Sequence, residues 1–269
     1  MRVDAANGNI YVRQSWIGDY LICGERARYG LVLPSFRSGS DATAIGTGIH
    51  SGIEWALTAH SSLEDVDYDQ LCEYTQEQVA VELSKPVKLT RISENPDKIA
   101  PSVSAMITAW YESIAVDVEW GGATELKFRY PSGMTAVNGF DIWYEGTIDY
   151  VEPSGRLWDW KTASRPYNIR EKQEKNVQAS VYCQFRAQET GVTDQSFNFG
   201  VMVRQLSPKA QVVEVVRDGS HYRWLNRQVQ TMVNNALLVG ESNGWPMNDQ
   251  HVLCSSTWCD FWSVCKGSV

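Results

Sequence analysis

GTIDYVEPSGRLWDWKTA, residues 146–163, sets two segments rich in Ile, Tyr, Val, Leu and Trp on either side of Pro153-Ser154-Gly155. Pro, Ser and Gly together are turn chemistry, so the stretch predicts a β-hairpin. Strand side chains alternate between faces, which puts Asp159 and Lys161 on one face and Trp158 and Trp160 on the other. A loop from Glu152 to Arg156 would bring Asp149 opposite Asp159, with Cβ atoms about 5 Å apart. Two bare carboxylates so close repel, so the pattern calls for positive charge between them.

Working outward, apolar residues at helical spacing predict helices over 15–29, 41–60, 68–84 and 101–119. Strands are predicted over 123–130, 134–139, 142–151 and 156–161, then a long amphipathic helix over 169–190. Strands at 196–205 and 210–217 and a helix from about 219 to 239 follow. The order predicts an α/β (α+β) chain of one domain, 1–269. Its parts are a helical N-terminal region (15–119), a core (120–217) and a C-terminal helix with a cysteine-rich tail (218–269).

The 269 residues carry a net charge of −8, which argues against a protein that coats nucleic acid but leaves room for a local basic groove. Candidates for such a groove are Arg165, Arg170, Lys172 and Lys175; the alternative is a solvated helix face. No stretch approaches the ~18 uninterrupted apolar residues of a membrane span, and MRVDAANGNIYVRQ lacks the apolar centre of a signal peptide. The expectation is a soluble cytoplasmic protein with no membrane partner.

Carboxylates beside a strand carbonyl are hard oxygen ligands that suit Mg²⁺ or Mn²⁺. Asp149, Asp159 and the Trp160 carbonyl could hold one such ion. Lys161, on the same face, could steady charge growing on a phosphoryl group. Read alone, Asp-x-Lys is equally an ordinary ion pair on a surface hairpin. Gln178 and Tyr182 share one helical face, with a packing face as the alternative. His50 and Glu54 share a face in GTGIHSGIEW, and Glu125 opens the first long strand.

The ordered set of His50, Glu125, Gly146-x-x-Asp149, Asp159-x-Lys161-Thr162 and Gln178-x-x-x-Tyr182 resembles the RecB-type nucleases of the PD-(D/E)XK superfamily. That resemblance implies a restriction-endonuclease-like core, a central mixed sheet flanked by helices. It implies a divalent metal held by His50, Asp149, Asp159 and the Trp160 carbonyl, and Lys161 as the catalytic lysine. Gln178 and Tyr182 would lie near the DNA strand.

Three of the six cysteines, Cys254, Cys259 and Cys265, crowd the tail, and Cys23 lies far away in sequence. This one-plus-three pattern fits paired zinc ligands poorly, whereas four thiolates can hold a cubane iron–sulfur cluster. It resembles the iron–sulfur branch of the RecB-like nucleases, which includes CRISPR-adaptation exonucleases and AddB-type nuclease domains. There an early Cys follows a Ser-x-x-x-x-Tyr helix, as Ser15, Tyr20 and Cys23 do here. Gly24 stands where that branch usually has Pro, and zinc is the alternative metal. A 4Fe–4S cluster would tie the chain ends together across a long loop. Cys72 and Cys183 read as buried small hydrophobes.

No G-x-x-x-x-G-K-[ST] phosphate loop occurs, so the expectation is a stand-alone enzyme and not a helicase fusion. The resemblance points to a Mg²⁺- or Mn²⁺-dependent DNA exonuclease acting on single strands or free ends. Phage recombination, DNA repair and spacer processing fit such an enzyme equally, with a second copy or recombination and helicase proteins as partners. The rival reading is a catalytically silent DNA-end-binding subunit of a larger assembly.

Overall fold

Helix starts in this chain are set by short polar side chains that take up the free N–H groups of the first turn. In the computed structural model, which describes residues 1–37, 39–90 and 95–266, Ser40 caps α3 (Asp41–Ala59), Asp67 caps α4 (Tyr68–Leu83) and Asp218 caps α8 (Gly219–Val239). The remaining helices are α1 (Gln14–Ile22), α2 (Gly24–Val32), α5 (Ile99–Ser113), α6 (Ile169–Lys175), α7 (Val177–Thr190) and the short α9 (Trp262–Cys265). The strands are β1 (Arg2–Asp4), β2 (Asn9–Val12), β3 (Ala123–Thr135), β4 (Asp141–Val151), β5 (Leu157–Ala163), β6 (Gln195–Val203) and β7 (Ala210–Arg217).

The strands form one seven-stranded mixed sheet ordered β1-β2-β4-β5-β6-β7, with β3 also paired to β4. The β2–β4 and β5–β6 pairs are parallel and the others antiparallel. One apolar core lies between the sheet and α1, α7 and α8, built on Ile142, Ile148, Phe197, Phe199 and Val229. The second lies between the sheet and α3, α4 and α5, where Ile49, Ile53, Met106 and Trp110 meet Trp158 and Trp160. Alternation along β5 sends Leu157 to the first core and the two tryptophans to the second. α3 and α4 can approach closely because Gly48 has no side chain: a Cβ there would stand 2.6 Å from the Val79 nitrogen. Among the described residues no helix is long and apolar enough to cross a membrane.

Several elements differ from the sequence expectation. The helix expected over 15–29 is two helices, with Cys23 extended between them (φ −166°, ψ 123°). The next residue explains the break: a Cβ on Gly24 would lie 2.6 Å from the Pro246 carbonyl oxygen, so the tail docks directly on this backbone. The helix expected over 169–190 breaks at Asn176, which ends α6 and caps α7 by accepting the Ala179 N–H at 2.7 Å. Buried Arg217 fills the gap by donating to the carbonyls of Lys172, Gln173 and Asn176. The strands expected at 123–130 and 134–139 are one strand to Thr135 with a register shift between Pro131 and Met134; residues 136–140 turn instead. The helix expected to 119 stops at Ser113. The short strands β1 and β2 carry too few residues to show a pattern in sequence.

Candidate active site at the fork of the sheet

β4 and β5 leave the Glu152–Arg156 turn as a regular pair, with Val151 opposite Leu157 and Tyr150 opposite Trp158. Asp149 and Asp159 come next in that register, and there the ladder stops. β3 runs along the whole of one edge of β4, while β2 pairs only with residues 141–144 on the other. Residues 145–149 of β4 therefore face a gap between β2 and β5. The Trp160 N–H turns into that gap and donates to Asp149 Oδ2 at 2.8 Å.

Four elements send side chains to this fork. From α3, His50 Nδ1 lies 3.3 Å from Asp149 Oδ2. From β5, the Lys161 ammonium stands against Asp159 Oδ2. From α7, Gln178 Nε2 donates to Asp159 Oδ1. Asp159 is only 1% exposed, and its Oδ2 lacks a hydrogen bond because Lys161 approaches off the bonding direction. Gly146 of the Gly-x-x-Asp stretch is required by packing, since a Cβ there would meet Phe128 at 2.7 Å and Tyr182 at 3.2 Å.

The charges do not balance. Burial, and then the Asp159 carboxylate, hold the Asp149 carboxyl well above the usual range. Burial would draw the Lys161 ammonium down, but Asp159 and Asp149 outweigh it and raise it. Burial holds His50 down against the pull of Asp159. Glu125 is also raised, by burial and then by Glu54. Glu125 falls between the paired residues Thr124 and Leu126, opposite Asp149, and is a non-glycine residue at φ +47°. Such backbone costs on the order of 1–3 kcal/mol and collects at working sites. Gly46, His50, Glu54, Glu125, Lys161 and Thr162 line one open cleft in front of the fork.

An excess of carboxylate and a buried oxygen without a hydrogen bond are what a hard cation would satisfy. Among the described residues no three His, Cys, Asp or Glu side chains already form a metal-ligand group. Asp149 and Asp159 are turned to Trp160, His50, Lys161 and Gln178 instead. Tyr182 corrects the expectation that it lies along a DNA strand. It is 4% exposed, its ring packs edge-on to Phe128 and Phe197, and its hydroxyl engages Gln178. The four basic residues beyond the fork are displayed on the β5–α6 connection and α6. Arg165 is exposed, Arg170 pairs with Glu174 at 2.7 Å, Lys172 lies over the Tyr167 ring and Lys175 is exposed. Glu54 and Thr162, in the cleft, were not singled out as ligands; the helical spacing of Glu54 from His50 was the available signal.

All six cysteines are free thiols. Cys23, Cys254, Cys259 and Cys265 line one pocket of about 480 Å³ between the α1–α2 junction and the tail. Burial, then Glu25 and the other three cysteines, raise the Cys265 thiol, which records their closeness. Cys183 is fully buried and pushed up to about 12 by burial; Cys72 is only half-buried.

The model of the PD-(D/E)XK nuclease superfamily matches residues 15–266. No curated protein matches the chain. Among solved structures, the chain is similar to "Putative exonuclease" from Eubacterium rectale, with 12% identity, a TM-score of 0.53, and coverage of 94% of this chain and 92% of that one. At that identity the likeness is one of fold. SSO0001 is more distant, with 12% identity, a TM-score of 0.42, and coverage of 100% of this chain and 90% of that one. The mixed sheet flanked by helices and a family match that spans nearly all of the sequence agree: the chain belongs to the PD-(D/E)XK nuclease superfamily.

Proposed function

We propose that the chain is a Mg²⁺- or Mn²⁺-dependent DNA exonuclease, working as one nuclease unit on single strands or free ends. The observation that carries this reading is the meeting of His50, Asp149, Asp159, Lys161 and Gln178 where β4 and β5 part. His50, Asp149, Asp159 and the Trp160 carbonyl would hold the ion. When bound, a divalent ion supplies Lewis acidity to a phosphoryl oxygen and lowers the pKa of a water nucleophile.

The chain's own residues do the rest. Lys161, raised by its carboxylate neighbours, keeps its proton at neutral pH and acts as a fixed charge for the phosphoryl oxygens. Gln178 is a positioning residue that holds Asp159 Oδ1, and buried Tyr182 holds Gln178 in turn. Arg165, Arg170, Lys172 and Lys175 offer the substrate backbone a basic border beside the acidic fork. Phage recombination, repair and spacer processing all remain consistent biological settings.

We further assign Cys23, Cys254, Cys259 and Cys265 to a 4Fe–4S cluster. The support is that four free thiols from the two chain ends line one pocket. Four sulfur donors suit such a cluster, whose part here is to tie the ends together. Zinc in its place is an outcome that metal analysis distinguishes.

Digestion of end-labelled single- and double-stranded DNA, with Mg²⁺, Mn²⁺ or chelator, tests the main reading. Short products released from ends in either metal, none in chelator, and resistant circular DNA are expected. DNA binding without cleavage in both metals would instead support a silent end-binding subunit.

A further inference from the structure

Beside the acidic cleft lies a second pocket of opposite character. It is bounded by Ile45 of α3, the first turn of α5, and Arg204 and Gln205 after β6. Lys98, Asn95 and Ser102 also line it. Among the described residues no carboxylate does, although the cleft next door holds Glu54 and Glu125 and the chain carries a net charge of −8.

Three features of this pocket seek an anion. The Arg204 guanidinium has neither a hydrogen bond nor a salt bridge among the described residues, while its backbone N–H is fixed to the Ala163 carbonyl at 2.7 Å. Burial draws it down, and Asp41 only partly offsets that. Asp41 is itself engaged by the Ala42 N–H and by the N–H and hydroxyl of Thr90. The second feature is α5, fifteen residues long, which begins with no capping side chain and no acidic residue in its first turn. Its positive dipole end is thus uncompensated. The third is Ser102, which is 7% exposed and whose hydroxyl lacks a hydrogen-bond partner.

The location gives the anion a role. Ala163 lies two residues beyond Lys161 on β5, roughly 7 Å along the strand. Ile45 of this pocket is adjacent in α3 to Gly46 of the cleft. We propose that the Arg204–Ser102 pocket is a phosphate-binding subsite that grips the substrate strand a few nucleotides from the bond being cut. This rests on the nuclease reading for its purpose, but not for its chemistry.

The test uses the full chain carrying Arg204→Gln, with Arg204→Lys as the charge-preserving control. Inorganic phosphate should raise the melting temperature of the wild type and of Arg204→Lys, and should leave that of Arg204→Gln unmoved. Binding of a labelled single-stranded oligonucleotide in chelator should weaken roughly tenfold or more in Arg204→Gln, the scale of one lost charged hydrogen bond. Its salt slope should fall by about 0.7, the share of one phosphate on a single strand. A loss confined to phosphorylated ends would assign a terminal phosphate; an equal loss on hydroxyl ends would assign an internal phosphodiester. Equal phosphate response and equal binding in wild type and Arg204→Gln would overturn the proposal, whether or not the protein cleaves DNA. A phosphate response lost in Arg204→Gln with no cleavage by the wild type would sustain the pocket and sink the nuclease reading alone.

Discussion

The fork and the cysteine pocket are built by the same device and serve opposite ends. At the fork, ladder pairing between β4 and β5 stops after Tyr150 and Trp158, and the freed Trp160 N–H and the two aspartates turn inward. At the cysteine pocket, helical pairing stops between α1 and α2, and extended Cys23 faces the tail. Each site sits where regular backbone pairing is interrupted, because an unbroken strand or helix cannot aim several donors at one point. They differ in what the interruption leaves behind. The fork keeps unbalanced charge in an open cleft, which suits chemistry on a charged substrate. The cysteine pocket gathers neutral thiols from the two chain ends, which suits a tie.

Mutations should separate the two. Asp159→Ala should lower cleavage by at least about 10², the scale of removing one preorganised charged group from a phosphoryl-transfer site. Its far-ultraviolet circular dichroism and melting curve should stay close to wild type, and near-normal turnover would remove Asp159 from the site. Cys23→Ser should do the reverse, bleaching anaerobically purified brown protein and making it protease-sensitive while the rate per folded molecule stays within a few-fold. Iron and sulfide near four per chain are the expected analysis; one stoichiometric zinc in colourless protein would replace the cluster without touching the fork.

Smaller effects sharpen the boundary between chemistry and packing. Tyr182→Ala should destabilise by about 3–5 kcal/mol, as large aromatic truncations in cores do. Tyr182→Phe, which keeps the ring and loses only the hydroxyl beside Gln178, should retain most stability and lose activity modestly. Wild-type melting in Tyr182→Ala would contradict its burial between Phe128 and Phe197. His50→Ala should shift the metal concentration needed for half-maximal activity upward, with partial recovery in excess Mn²⁺. Identical metal titrations would make His50 a structural residue.

The hairpin was legible because three signals agree there: turn residues, alternating apolar positions and the Asp149–Asp159 offset. The helices α3, α4 and α8 were legible from period and caps. The breaks at Cys23 and Asn176 were not, because each is imposed by a residue distant in sequence: Pro246 backing onto Gly24, and Arg217 taking carbonyls under α6. Tyr182 carried the same ambiguity as any aromatic on a helix face, and only Gly146, which leaves room for its ring, decides for packing. Arg204 and Ser102 gave no sequence signal, since no local pattern marks an arginine that will lack a partner.

The central claim is that the fork of β4 and β5 is a metal-dependent phosphodiesterase centre. The most direct measurement is single-turnover cleavage of an end-labelled single strand by wild type and Lys161→Ala, in Mg²⁺ and in chelator, with DNA affinity measured alongside. The account predicts metal-dependent cleavage by wild type, a loss of roughly 10²–10³ in Lys161→Ala, and similar DNA affinity for both. Equal cleavage rates in the two proteins, or wild-type cleavage undiminished in chelator, would contradict it.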